Sequence, residues 1–406
     1  MANPKLNIAY VARYDVTQPR SWSRNETGLA QAGAAIYQGL INRGHQVTGI
    51  GPLHRRGKFW AALKRRAILA TTGQTYHFWA EPGQLHHYAR QAAIQLDQKL
   101  SAHPAQVVLT AENAIALAKL ERPEPQVLWL DSSLAGLIDF YPYMTNLWPE
   151  TRRQVLALEA QAFARASALM MGSDWAAHQV QSTYGVPAHK IHILPWGPNV
   201  TCERTVHDIA LAIERRPTNA CRLLFVGVHW ERKGGDLALA VVQALNNQGV
   251  PTELTIVGCT PPGTVGALPP YVTVIPFIDK STPTGMAQMN ALLAQSHFFI
   301  LPTQAECLGL VLAEALSHGV PCLTSDVGGV PTVVRSGQTG ETFPLSEGAA
   351  PYVATIRQYW EDRLRYNALA TSAFDTFDRS MRWERLLEQA ARIIGSVVPL
   401  PESTSW

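Results

Sequence analysis

Short apolar runs alternate with helix-period stretches along almost the whole chain, and that alternation limits the fold more than any other feature. In the first half, runs at 6–12, 46–50, 106–109, 127–130, 168–171 and 191–195 have the length and composition of buried strands. A helix is predicted over 29–42, closing on Arg43-Gly44 with Gly44 as its C-cap. The second half repeats the pattern at 223–226, 254–257, 272–275, 298–301 and 321–324, with helices near 286–295 and 310–318. Asp236 reads as the N-cap of a helix ending near Gly249. Strands joined by helices need crossover connections, so the sheets should be parallel.

At 406 residues the chain exceeds one ordinary core of roughly 150 residues. The expectation is therefore an α/β protein of two doubly wound, Rossmann-like domains facing each other across a cleft. The boundary falls between Pro195-Trp196-Gly197-Pro198-Asn199 and Arg215-Arg216-Pro217. That places one domain at 1–205 and a second at 206–379, with a last helix at about 380–398 crossing back to the first.

Composition narrows the function classes. Hydrophobic residues are 47% and charged residues 16%, enough apolar material for two cores. A net charge of +3 gives no case for nucleic acid as partner. The five cysteines are dispersed without a C-x-x-C pair, as expected of reduced thiols rather than a zinc or disulfide framework. The first residues run straight into a strand pattern and no apolar stretch reaches about 18 residues, so a cytoplasmic protein is expected.

The most informative segment is Phe298-Phe299-Ile300-Leu301-Pro302-Thr303-Gln304-Ala305-Glu306-Cys307-Leu308-Gly309-Leu310, followed by Glu314. A strand ends, a short loop carries Glu306, and a helix begins near Gly309. Amides of Leu308, Gly309 and Leu310 at such a helix start suit a diphosphate, and Gly309 spares a Cβ there. Glu314, among Leu312, Ala313, Ala315 and Leu316, sits poorly on a solvent face and is placed to accept from sugar hydroxyls. Read alone, a plainer account stands level with this one: Glu306 as an acidic helix-start residue and Glu314 as a solvated one.

A second strand-loop-helix segment is Phe225-Val226-Gly227-Val228-His229-Trp230-Glu231-Arg232-Lys233-Gly234-Gly235-Asp236. Arg232 and Lys233 would neutralise charge developing on a leaving diphosphate. The plainer reading is an exposed basic turn.

Together these segments resemble the retaining glycosyltransferases of the GT-B fold, family 4 (glycosyl transferases group 1), whose mark is two glutamates separated by seven residues. Glu306 and Glu314 match it. Lys233 matches the family's phosphate-binding lysine, five residues after an arginine that is Val228 here. Ser173-Asp174-Trp175, Tyr184-Gly185-Val186-Pro187, the stretch 190–197 and Asp326-Val327-Gly328-Gly329-Val330-Pro331 extend the resemblance over nearly the full length.

What the resemblance implies is specific. Glu306 faces the donor sugar, Glu314 the ribose and Lys233 the phosphates, assisted by the backbone amides of Leu308, Gly309 and Leu310, with Gly227 and Cys307 completing the donor-binding set. Pro276-Phe277-Ile278 reads the base. Glu26-Thr27-Gly28 resembles the family's glycine loop near phosphate and acceptor. By position alone, outside the resemblance, Arg13 just behind the first strand is a candidate to meet a phosphate or an acidic acceptor, and a plain surface arginine is at least an equal reading. Asp131 stands where many relatives carry a histidine, and a carboxylate cannot replace a donor imidazole. Catalysis is assigned to Glu306, Lys233, Arg232 and Asp131, with no metal and no cofactor besides the nucleotide-sugar donor. UDP-glucose and GDP-mannose both remain open, as do a polysaccharide, a glycolipid or a small molecule as acceptor. The alternatives are a silent nucleotide-sugar-binding protein and an epimerase or hydrolase on the same fold.

The most basic stretch, 54–69, suggests peripheral contact with an anionic membrane; the plainer reading is a cationic surface helix packing Phe59 and Leu63 inward. Trp79, His86, His87 and Tyr88 are weaker candidates for an acceptor pocket.

Overall fold

The computed structural model describes residues 5–18, 27–53, 58–74, 84–111, 114–262 and 268–399. The chain divides into two compact units, one of 1–196 with 383–406, the other of 197–382.

The first unit is built on six parallel strands in the order β2-β1-β3-β4-β5-β6. They are β1 Asn7–Val11, β2 Gln46–Ile50, β3 Val107–Thr110, β4 Gln126–Leu130, β5 Ala166–Met171 and β6 Ile191–Ile193. Every residue of β3 and β4 is buried, which is why these strands read as unbroken apolar runs. Helix Thr27–Asn42 ends at Gly44, whose φ of 85° continues the chain where a side chain would be strained. Helix Trp383–Val397 packs on it within this unit. A Cβ at Gly39 would lie 2.2 Å from Leu387 Cδ1, so the absence of a side chain there seats that leucine.

The second unit carries β7 Cys221–Val226, β8 Thr252–Val257, β9 Val272–Ile275, β10 Phe298–Leu301, β11 Cys322–Ser325 and β12 Gly340–Phe343. Its order, β12-β11-β10-β7-β8-β9, is again wholly parallel. The first strand of this unit, β7, lies between β8 and β10, so the winding direction reverses at the β7–β10 pair. In open α/β sheets the crevice at the carboxyl ends of such a pair is where ligands bind.

Three sequence expectations are corrected. Asp236 is not a cap: helix Gly235–Asn247 starts at Gly234 (φ 76°), and the Asp236 carboxylate accepts from Trp230 Nε1 at 2.9 Å. A short helical turn, Trp230–Lys233, runs directly into that helix and leaves no room for a side-chain cap. The boundary region between 199 and 215, in which no helix is expected from the sequence, holds helix Val206–Glu214, started by a reciprocal Thr205–Asp208 capping box. Leu63, expected to pack inward from helix Lys58–Thr72, is 52% exposed. The start of that basic stretch, 54–57, and Trp79 and Glu26 lie outside the described residues.

Candidate active site

At the β7–β10 pair, two loops are stitched together by their backbones. Gln304 N donates to Arg232 O at 2.7 Å and Thr303 Oγ1 donates to the same carbonyl at 3.0 Å. Arg232 Nη1 returns a bond to Ala305 O at 2.8 Å. A Cβ at Gly234 would stand 1.9 Å from Pro302 O, so the turn rests directly on the chain leaving β10. Gly227 has a similar role: a Cβ there would come 2.9 Å from Lys233 Cγ, and the lysine stem runs over it.

This stitching brings Lys233, Arg232 and Glu306 into one cluster. Lys233 Nζ donates to Glu306 Oε2, and Arg232 Nη1 lies 3.5 Å from the same oxygen. Side-chain exposure is 10%, 12% and 11% respectively, which rules out the exposed basic turn and the acidic surface residue. Burial pushes the Glu306 carboxyl up, but Lys233 and Arg232 outweigh it and hold it below the usual carboxylate range. Burial pulls the Lys233 ammonium down; Glu306 opposes that and Arg232 adds to it, leaving it lowered. Lys233 and Arg232 thus bring two cationic side chains to the one Glu306 carboxylate at the end of the sheet.

The helix beyond, Leu310–Leu316, starts at Gly309 with φ 81° and no side-chain cap. Among the described residues nothing accepts a hydrogen bond from the amides of Leu308, Gly309 and Leu310. At seven residues this helix has a short dipole, so charge for binding an anion rests chiefly on Lys233 and Arg232. Gly309 also serves the fold: a Cβ would lie 2.8 Å from Leu312 Cδ1 and 3.3 Å from Glu306 Cγ. Cys307 and Leu308 are buried beside it.

Glu314 lies in the same helix and is 2% exposed, off the solvent face. Its Oε1 accepts from Lys280 Nζ and from Asn199 N at 3.3 Å. Sequence reading did not single out Lys280; no local pattern marks it, because its partner is 34 positions away. Beyond β9, Phe277 is 47% exposed while Ile278 is buried, and beyond β7, Val228 is 54% exposed.

Residues 220–362, which contain all of these groups except Asn199, match the family profile described as glycosyl transferases group 1. They form a group 1 glycosyltransferase domain. D-inositol 3-phosphate glycosyltransferase of Acidothermus cellulolyticus is 30% identical over 204 residues, covering 47% of this chain and 45% of that protein. The chain spans about half the length of the curated relatives it matches first. Among solved structures, sucrose-phosphate synthase from Thermosynechococcus elongatus aligns with a TM-score of 0.65 at 14% identity, over 97% of this chain and 99% of that one. Anabaena Alr3699/HepE, solved with UDP and glucose, aligns with a TM-score of 0.61 at 16% identity, over 96% and 100%. At that identity the structures show a shared fold, the two-domain Rossmann-like architecture of GT-B glycosyltransferases.

The candidates in the first unit lie outside the segment matching the group 1 glycosyltransferase domain. Arg13 follows β1 by two residues and is half-buried; Gly28 is exposed in the first turn of helix Thr27–Asn42. Asp131 follows β4 directly and is half-buried. The turn after it is held by a residue that sequence reading passed over, Glu159, which is 1% exposed. Its carboxyl accepts from Leu134 N at 2.7 Å, Ala135 N at 3.0 Å and Tyr184 Oη at 2.6 Å. Burial raises it to about 7, against the lowering effect of those three donors. Of the weak aromatic candidates, Tyr88 is buried, His86 half-buried and His87 exposed.

Proposed function

We propose that the chain is a retaining glycosyltransferase that moves a hexose from a nucleoside diphosphate sugar to an acceptor hydroxyl without a metal ion. The buried Lys233–Glu306–Arg232 cluster at the β7–β10 reversal carries this reading. Its two cationic side chains would meet the diphosphate as the bond from the anomeric carbon to the phosphate oxygen breaks and the electron pair moves to that oxygen. The acceptor oxygen forms its bond to the anomeric carbon on the same face, and its proton passes to the leaving phosphate oxygen. No strong protein base is required. Glu306, buried between the two cations, would accept from donor-sugar hydroxyls, and Glu314 from the ribose.

A polysaccharide, a glycolipid or a small molecule would serve as acceptor, and a relative whose printed name concerns D-inositol 3-phosphate keeps a phosphorylated polyol among the candidates. Asp131, Arg13 and Gly28 belong to the acceptor side of this reading. Peripheral contact with an anionic membrane belongs to it as well, supported by exposed Leu63 and Leu69 beside exposed Lys64, Arg65 and Arg66. Equal co-sedimentation with anionic and neutral vesicles would end that part.

The test is a thermal-shift panel with UDP, GDP, ADP and TDP, each with and without Mg²⁺. Ligand at about 100 times its Kd stabilises by about 2.7 kcal/mol. A selective shift independent of Mg²⁺ supports the donor site and names the base; no shift with any nucleotide overturns it. A second reading, a binder without turnover, is favoured by Val228, an exposed apolar side chain where the family resemblance expects an arginine. Nucleotide binding without sugar transfer to any acceptor or to water would select it.

A further inference from the structure

The partners of Glu314 are arranged unevenly. Both of its donors, Lys280 Nζ and the Asn199 amide, meet Oε1, and no described residue donates to Oε2. The Glu314 side chain is 3% exposed and that of Lys280 17%. A carboxylate withdrawn so far from water needs a cation or several donors, and Lys280 is the cation present.

The backbone bearing Lys280 is itself fixed. Asp279 Oδ1 accepts from Ser281 N at 3.0 Å, while Asp279 O accepts from Thr282 N at 3.2 Å and Thr282 Oγ1 at 2.9 Å. A Cβ at Gly285 would fall 2.0 Å from Asp279 O, so this turn is packed onto the first turn of helix Pro283–Gln295. The same short segment carries the exposed ring of Phe277, three positions before Lys280. One rigid connection thus bears both an exposed aromatic ring and the cation that orients Glu314.

We propose that Lys280 is a positioning residue for nucleotide recognition: by committing Oε1 of Glu314, it leaves Oε2 as the single strong acceptor for one ribose hydroxyl. This rests on the donor reading above. A carboxylate free to rotate would offer either oxygen and lose the geometric selectivity that a fixed charge-assisted bond provides. Lys280 acts through Glu314 rather than on the sugar, so its removal should erase discrimination between sugars of the nucleotide.

The experiment is calorimetric titration of the full chain with UDP, GDP and ADP and with their 2′-deoxy and 3′-deoxy counterparts, alongside thermal unfolding of each variant. Wild type should prefer the ribonucleotide over one deoxy form by at least fivefold. Lys280→Met should bring that ratio close to one, and Lys280→Arg should restore most of it, both with a cooperative melt. If Lys280→Met does not melt cooperatively, Lys280→Ala, which likewise has no donor for Glu314, replaces it. A wild type that binds ribo and both deoxy forms equally overturns the inference. So does a Lys280→Met protein that discriminates as wild type does, or one that binds the ribonucleotide more tightly, since Lys280 would then compete with the ribose. A wild type that binds no nucleoside diphosphate overturns the donor reading itself, a result distinct from the others.

Discussion

Lys233 and Glu306, 73 positions apart, form one buried ion pair because the turn after β7 and the loop after β10 are bonded backbone to backbone. Neither loop could hold its charge alone. If the pair acts on the leaving diphosphate, Lys233→Ala should lower turnover roughly 100-fold while changing nucleotide affinity far less. Steady-state kinetics beside titration with the nucleotide checks this, and equal losses in both would assign Lys233 to ground-state binding. Removing the ammonium that pairs with buried Glu306 should also cost the variant about 3 kcal/mol of stability.

Gly234→Ala should cost about 3 kcal/mol or more, because φ is 76° and the new Cβ would meet Pro302 O at 1.9 Å. Gly337→Ala is the control: φ is 75° there, but the Cβ enters open space, and a loss of about 1 kcal/mol is expected. Urea unfolding of the two variants separates the clash from the backbone conformation. Similar losses would mean that the turn at 230–234 does not rest on Pro302 as described.

Glu159 predicts a pH dependence of the first unit. Its folded value, about 7, is above the ordinary 4.5, so its stabilising contribution is complete below 4.5 and is lost as pH rises through 7. The amount is about 3 kcal/mol. Glu159→Gln should flatten this dependence, read as amide exchange protection in β4 and β5 between pH 4.5 and 7.5. An unchanged slope would contradict the buried carboxyl.

Two histidines predict the opposite sign for the second unit. His297 and His318 are each 1% exposed and pulled down to about 3, first by burial and then by neighbouring arginines, Arg216 for His297 and Arg204 for His318. Their contribution is present above the ordinary 6.5 and is lost as pH falls from there towards 3. Exchange protection in β10 and β11 should therefore weaken between pH 7 and pH 5, by at most about 4 kcal/mol for the two together. Constant protection across that interval would count against neutral buried imidazoles.

The parallel sheets were legible because a strand covered on both faces has few polar interruptions; β9 and β10 begin and end where the apolar runs do. Glu306, Lys233 and Glu314 were legible as a spaced motif, and the apolar neighbours of Glu314 already set it off the solvent face; the burial of Glu306 and Lys233 was not legible. What escaped sequence reading depends on tertiary neighbours. Lys280 has an ordinary loop context, and only the fold sets it against Glu314. Glu159 looks like one more acid in helix Pro149–Arg165 until Leu134, Ala135 and Tyr184 close around it. Asp236 misled because a good capping residue sits two positions inside a helix whose start is set by Gly234. The Thr205–Asp208 capping box, by contrast, was visible in the sequence and was obscured by its polar surroundings.

The stitching of 230–234 to 302–306 extends one step further, since Gly329 N donates to Glu306 O at 3.0 Å. Three separate stretches of chain therefore have to be inherited together. In gene shuffling among related transferases, a crossover between 235 and 302 or between 307 and 329 would join loops that never adapted to one another. Viable hybrids should accumulate breakpoints outside 227–330, and exchanging one loop to change sugar preference should fail unless its two companions move with it.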